Sequence, residues 1–403
     1  MKIVHICQYY NDGYGYQENL LPRYQAKLGY DVIVITSDRK SYFAGEGKPK
    51  IVGTGEFSDQ GIRIVRLPIS SEFKGRYVRF ENLTGILGSE RPDYIFHHGL
   101  TSPSLITSAQ YKLRNPSVFL VADNHADLNI SARNVLWRIT YYRAYWTSIL
   151  KKWIKYVDLV FGVTPARCYF AEEELGVPHS KVRLLPIGAD EDGANAVLSR
   201  LKAQDNEVRN KSDILEIATG GKWFKGKGLE ELVQAVRGLN VRLKIFGKTD
   251  DSFTKELIDK ASDNVSFVGW QDRKGTLQLL RDADLAIWPR QHTTLVEDAV
   301  ATRTPLILRY HGSTSHFIRG NGAYLFSGQS NEIRQLLDML SKSTDLVKSM
   351  KSNSAKILDL LSYKRVAEES LEYYENQDPK TTHSVFMNDP LCNPRNEGFY
   401  RLK

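Results

Sequence analysis

The sequence predicts an α/β protein of two domains. Strand, loop, helix and strand alternate along both halves, and polar, glycine-containing loops follow short apolar runs in each. At 403 residues the chain exceeds one ordinary domain, while 41% hydrophobic and 25% charged residues are typical of a soluble globular protein.

Residues 2–7 read as a short apolar strand and residues 31–36 as the next, with a helix between them ending near Gly29. The first loop holds Gly13 and Gly15, and a glycine-containing first strand-to-helix loop in an α/β domain faces a ligand at the carboxyl ends of the strands. A further strand, 94–96, ends at His97 and His98. Residues 117–122 make another, which opens into Asp123-Asn124-His125-Ala126-Asp127. Two acids and a histidine within five residues form a concentrated polar site, and metal binding by Asp123, His125 and Asp127 is one reading of it.

From Arg133 to Lys155 there are six cations and no acid: Arg133, Arg138, Arg143, Lys151, Lys152 and Lys155, interleaved with Trp137, Tyr141, Tyr145, Trp146 and Trp153. Without Gly or Pro, the stretch 133–156 reads as one long helix. A basic helix rich in Trp and Tyr suits the boundary between lipid headgroups and acyl chains, so an anionic membrane surface is an expected partner. A core helix with its cations on one rim is the alternative. No nucleic-acid module is recognisable, and no nucleic-acid partner is expected.

In the second half, residues 214–218 read as a buried strand, and Leu229, Leu232, Val233 and Val236 recur at helical spacing. Between them runs Gly221-Lys222-Trp223-Phe224-Lys225-Gly226-Lys227-Gly228. Glycine lets backbone N–H groups approach an anion, and Lys222 and Lys227 add full charges, so this turn is expected to clamp a diphosphate. Some seventy residues later the strand Leu285–Trp288 ends at Pro289. A loop and helix follow, containing His292, Thr293, Thr294, Leu295 and Glu297, and then a strand, 306–308. Thr293 or Thr294 is placed to cap that helix, and Glu297 lies in its first turn, where a carboxylate holds vicinal sugar hydroxyls or complements the helix dipole.

Together these residues resemble the retaining enzymes of glycosyltransferase family 4, which have the GT-B fold of two Rossmann-like domains facing a central cleft. Gly221, Lys222, Lys227 and Gly228 match the family's G-R/K-x-x-x-x-K-G turn, and Glu297, Ala301 and Pro305 match the later part of its E-x7-E and A-x-G-x-P pattern. The departure is the first Glu, whose position is held by Pro289; Gln291 or His292 takes its place. Thr302 stands where glycine is frequent. The resemblance implies a UDP- or GDP-sugar donor without a required metal or other cofactor, and a glycan or lipid-linked acceptor. Gly13, Gly15, Gly221, His292, Thr293, Thr294 and Leu295 would lie near the donor, and His125 near the transferred sugar. It also implies a hinge near 184–190, giving domains 1–188 and 189–362, and then a crossing-back helix with an irregular tail over 363–403.

Cys7, Cys168 and Cys392 are scattered, which argues against a disulfide framework or zinc site. No apolar run is long enough to span a bilayer and the start lacks a secretory apolar region, so a cytoplasmic protein is expected, peripheral at the inner face of the plasma membrane. Two other functions fit parts of the pattern. One is a non-catalytic nucleotide-sugar-binding or partner-subunit protein. The other is an NAD-dependent oxidoreductase, through Gly13-x-Gly15 and Asp38, although Glu18 stands where the third glycine belongs.

Overall fold

Continuous buried runs such as Val32, Ile33, Val34 and Ile35 are what a strand covered on both faces requires, and the chain uses them to build two parallel sheets. The computed structural model describes residues 1–41, 50–73, 77–202, 214–248, 251–290, 293–376 and 381–400, the side chains of 200–202 excepted. Two units result: Met1–Ile187 with Tyr363–Pro394, and Gly188–Ser362 with Arg395–Lys403.

The first unit contains β1 (Lys2–Ile6), β2 (Asp31–Ser37), β3 (Arg39–Lys40), β4 (Lys50–Ile51), β5 (Gly55–Asp59), β6 (Ile62–Leu67), β7 (Ile69–Phe73), β8 (Tyr77–Phe80), β9 (Tyr94–His97), β10 (Phe119–Asn124), β11 (Leu159–Gly162) and β12 (Val182–Leu184). Its main sheet has the order β12-β11-β10-β9-β1-β2-β6-β5, with only β5 antiparallel; β3–β4 and β7–β8 are small separate ladders. The order reverses between β1 and β9, so loops from their carboxyl ends diverge and leave a crevice there. Strand β10 extends two residues beyond the expected end and carries Asp123 and Asn124 within the sheet.

Helices α1 (Gln17–Lys27), α2 (Leu83–Glu90) and α3 (Pro103–Arg114) follow the early strands. The basic stretch is a continuous helical path, but not one uniform α-helix. A nine-residue π-helix, Arg138–Trp146, separates α4 (Val135–Trp137) from α5 (Thr147–Trp153), and a 3-10 turn, Ile154–Tyr156, ends it. The wider π turn brings residues five apart onto one face. Arg138 and Arg143 therefore both reach the buried carboxylate of Glu174, at 2.5–2.9 Å, just beyond α6 (Pro165–Glu173). Burial alone would raise the Glu174 carboxyl, yet the two guanidiniums outweigh it and hold it below its ordinary value.

The second unit opens with α7 (Glu191–Lys202). Its sheet comprises β13 (Leu215–Gly221), β14 (Val241–Gly247), β15 (Val265–Gly269), β16 (Leu285–Trp288), β17 (Leu306–Arg309) and β18 (Gly322–Leu325). The order β15-β14-β13-β16-β17-β18 is parallel throughout, the dinucleotide-fold order with its reversal between β13 and β16. Helices α8 (Leu229–Val236), α9 (Ser252–Lys260), α10 (Arg273–Asp282), α11 (Leu295–Ala301), α12 (Ser330–Ser341) and α13 (Thr344–Leu361) complete it.

Helix α14 (Tyr363–Glu375) returns to the first unit, where Tyr363, Val366, Ala367 and Leu371 join Ile3, Leu20, Phe96 and Phe161 in one core. Each such fully buried large side chain contributes ~1.5–3 kcal/mol. The segment read as an irregular tail is largely ordered. It forms α15 (Thr382–Met387) and a 3-10 turn, and buries Phe386, Cys392 and Phe399 completely. These anchors are too irregularly spaced to show a period. Cys7, Cys168 and Cys392 are all buried and unbridged, and all lie in the first unit.

Candidate functional site

In the second unit the two motifs meet at the reversal point of the sheet. Thr219 donates to the Ile287 carbonyl at 2.5 Å and Trp288 Nε1 to the Gly220 carbonyl at 3.0 Å, which locks β13 to β16 beneath their carboxyl ends. Gly228, at φ +87°, begins α8 against the following loop. A Cβ there would lie 2.8 Å from Arg290 Cγ and 2.9 Å from Pro289 Cβ, so both conformation and space require glycine. Gly221, at φ +141°, faces Leu295, whose Cδ1 lies 4.0 Å from where a Cβ would stand.

Lys222 is exposed and Lys227 half-buried in this turn. Burial, and then the neighbouring Lys222, hold the Lys227 ammonium below its ordinary lysine value. The Lys227 Nζ rests 4.5 Å from the centre of the Phe224 ring. Two converging cations raise each other's energy, and an anion between them reverses that cost. Arg290, which sequence reading passed over, pairs with Glu231 of α8 at 2.7 Å and ties the two loops together.

Helix α11 departs from expectation. Thr294 precedes it with already helical backbone angles and makes no side-chain cap, and the helix runs only seven residues. Thr293 contributes its carbonyl, which accepts from Val296 N at 3.0 Å. Glu297 lies in the first turn as expected and is buried. Gln291 and His292 lie outside the described residues. Thr302 keeps an ordinary φ of −90°, and the left-handed conformation falls on Arg303 instead.

The first unit carries a second polar centre at its own reversal point. Asp123, fully buried, accepts from the His98 ring Nδ1 and His125 ring Nε2, both at 3.1 Å, and from Gly99 N at 2.6 Å. Behind His98 lies His5, whose Nδ1 is 3.0 Å from His98 Nε2 and whose Nε2 is 2.6 Å from Gln25 Oε1. Burial alone would raise Asp123, but His125 and His98 reverse this and hold its carboxyl well below the usual range. His5 is pushed down to about 3, by burial first and by His98 second. His97 points elsewhere, to Ser104 Oγ at 2.8 Å, and burial lowers it to about 3.

A cavity of about 400 Å³ opens above this centre, lined among others by Glu18, His98, Asn124, His125 and Tyr141. Burial raises the Glu18 carboxyl, and His98 and His125 partly offset that. His5, Glu18 and His98 were not picked out as site residues from sequence. The His97-His98 pair and the polar residue inside strand β1 were the available signals.

The Gly13 amide donates to Asp59 Oδ2 at 3.1 Å, and Gly15 is exposed. The triad Asp123, His125 and Asp127 does not assemble. Asp127 caps Asn129 N and Ile130 N at 2.9 and 2.8 Å and faces Arg167 at 3.4 Å.

Residues 20–192 match the family described as Glycosyltransferase Family 4. No curated protein matches the sequence. Among solved structures, HepE from Anabaena in complex with UDP and glucose is 15% identical, with a TM-score of 0.61 over 93% of this chain and 99% of that one. A glycosyltransferase from Rickettsia africae is 14% identical, with a TM-score of 0.64 over 93% and 97%. A proposed UDP-N-acetylglucosamine 2-epimerase from Listeria monocytogenes is 13% identical, with a TM-score of 0.56 over 94% and 98%. With the two parallel sheets, these likenesses show the GT-B fold of two Rossmann-like domains.

Proposed function

We propose that this chain transfers a sugar from a UDP- or GDP-sugar to a glycan or lipid-linked acceptor with retention of anomeric configuration, in surface polysaccharide or glycolipid assembly. The observation that carries this reading is the approach of Gly221 and Gly228, which flank the turn bearing Lys222 and Lys227, to Leu295, Pro289 and Arg290 where the second sheet reverses its order. The family match and the UDP and glucose held by HepE support the same chemistry.

In this reading Lys222 and Lys227 hold the diphosphate and neutralise the charge that grows on it as it leaves, so no metal ion is called for. Glu297 takes the ribose hydroxyls, and Gln291 or His292 takes the place of the family's first Glu. Thr293, Thr294 and Leu295 line the donor, as does Gly221, while Gly15 is the exposed glycine of the first loop. His125 contacts the transferred sugar, its ring oriented by Asp123. The bond from the anomeric carbon to phosphate oxygen breaks, a bond to the acceptor oxygen forms on the same face, and the leaving phosphate takes the acceptor proton.

The lipid-linked arm rests on the surface of the basic helical stretch. Ile130, Val135, Leu136 and Ile139 are 68, 66, 71 and 51% exposed, and no acid stands between residues 128 and 157. Arg133, Lys151, Lys152 and Lys155, four of the six cations, are exposed. Arg138 and Arg143 are engaged with Glu174, and Tyr142 and Trp146 are buried. Sedimentation with anionic vesicles at low salt should carry the protein down, and Leu136→Glu should abolish it. Among the described residues no helix is long and apolar enough to cross a membrane.

Calorimetric titration with UDP, GDP and NAD, followed by assays of donor hydrolysis, tests the central reading. UDP or GDP binding with slow sugar release is expected. Binding without turnover favours the non-catalytic alternative, and NAD binding alone defeats the proposal.

A further inference from the structure

The last described residues build one wall of another cavity in the second unit. Phe399 is fully buried, its carbonyl accepts from Gly312 N at 2.8 Å, and Asn396 Nδ2 donates to the Tyr310 hydroxyl at 3.0 Å. Between this segment and the carboxyl ends of β17 and β18 lies a cavity of about 500 Å³ lined by Arg309, Tyr310, Phe326, Gln329, Glu332 and Glu397, within the size range of small-molecule sites.

Three features give the cavity a chemical character. Arg309 is only 5% exposed; its Nη1 donates to the Leu325 carbonyl at 3.1 Å, while its buried Nε–H has no partner among the described residues. A buried donor in that state costs about 1–3 kcal/mol, which a ligand oxygen would recover. Phe326 holds its ring 61% exposed, braced by Tyr310 at 5.3 Å between ring centres. The ring is held in place because the amides of Phe326, Ser327 and Gly328 all donate to the Glu332 carboxylate at 2.6–2.8 Å. Glu397 and Gln329 supply an exposed polar rim.

A phosphate or carboxylate ligand would meet Glu332 and Glu397 beside a single guanidinium, and the acids outnumber it. A wholly apolar ligand would leave the Arg309 N–H dry. A pyranose has one apolar C–H face and a rim of hydroxyls that both accept and donate, which matches ring, guanidinium and carboxylate in turn. We propose that this cavity is a carbohydrate-binding subsite, where a pyranose stacks on Phe326, accepts a hydrogen bond from Arg309 Nε and donates to Glu397. It shares no residue with the Lys222 and Lys227 turn and does not depend on the transfer reading.

The test is saturation-transfer NMR and calorimetry on the full chain with methyl glucosides, methyl galactosides and maltotriose, in wild type, Phe326→Ala, Phe326→Trp and Lys227→Ala. Phe326 is exposed, so its variants should keep the fold, which circular dichroism checks. Binding of at least one sugar is expected, weakened about tenfold or more by Phe326→Ala, kept by Phe326→Trp and unchanged by Lys227→Ala. No binding of any of the sugars, binding indifferent to Phe326→Ala, or binding lost only in Lys227→Ala would each overturn the proposal. The last outcome would assign the sugar to the donor turn.

Discussion

Replacing Lys227 by alanine should cost nucleotide affinity by an amount that follows from its burial. A single ion–ion contact at ~4 Å is worth ~4 kcal/mol at an effective dielectric of ~20. Lys227 is half-buried, and solvent and salt screen part of that, leaving ~2 kcal/mol, or about thirtyfold in Kd. Lys225 lies in the same turn but is exposed, so Lys225→Ala should change Kd by no more than about threefold. Titration calorimetry with UDP on wild type, Lys227→Ala and Lys225→Ala, at low and high salt, compares them directly. Because burial and Lys222 lower the Lys227 ammonium in the free protein, binding should also draw in protons as the pH rises toward its titration, an uptake that Lys227→Arg should abolish. Equal losses in the two alanine variants would show a diffuse positive surface and refute the clamp.

The remaining expectations concern the first unit. Asp123→Asn should lower transfer at least about tenfold, since it removes the acceptor that orients His125 and His98, and it should shift the acid limb of the pH–rate profile; an unaltered profile would reduce Asp123 to a structural role. Glu174→Gln should destabilise by ~2 kcal/mol in urea melts, less than for a fully buried pair because Arg143 is half-exposed, and a loss below ~0.5 kcal/mol would mean that the π turn does not need the pair. His5 and His97 stay neutral in the native state down to about 3, while in the unfolded chain they protonate near 6.5. Unfolding therefore takes up protons between those values, and stability should fall as pH drops below about 6.5, by up to ~1.4 kcal/mol per pH unit for each histidine. A urea midpoint that does not move between pH 7 and 5 would contradict this.

Much of the fold was legible because parallel strands buried on both faces show as unbroken Val, Ile and Leu runs. The β13 and β16 segments, their loops and Gly228 all follow from such runs and their spacing. The reason Gly228 must be glycine was hidden, since Pro289 and Arg290 approach it only in three dimensions. For the same reason the centre on Asp123 was half visible. His125 stands two residues away, but His5 and His98 join it only because β1, β9 and β10 end side by side. The π-helix left no trace in a search for a 3.6-residue period. The ordering of the tail was missed because Phe386, Cys392 and Phe399 anchor it singly, without a repeating pattern.

The burial of Cys7, Cys168 and Cys392, all within one unit, gives the molecule a built-in reporter. Burial pushes the Cys7 and Cys168 thiols far above the range where a thiolate forms, so a thiol-reactive dye should label the native chain slowly or not at all. Dye incorporation would then time the opening of the first unit alone, and the second could melt without registering. A tryptophan signal samples both units, through Trp137, Trp146 and Trp153 in the first and Trp223, Trp270 and Trp288 in the second, so a tryptophan phase without dye incorporation would tell whether the two halves come apart as one event or two.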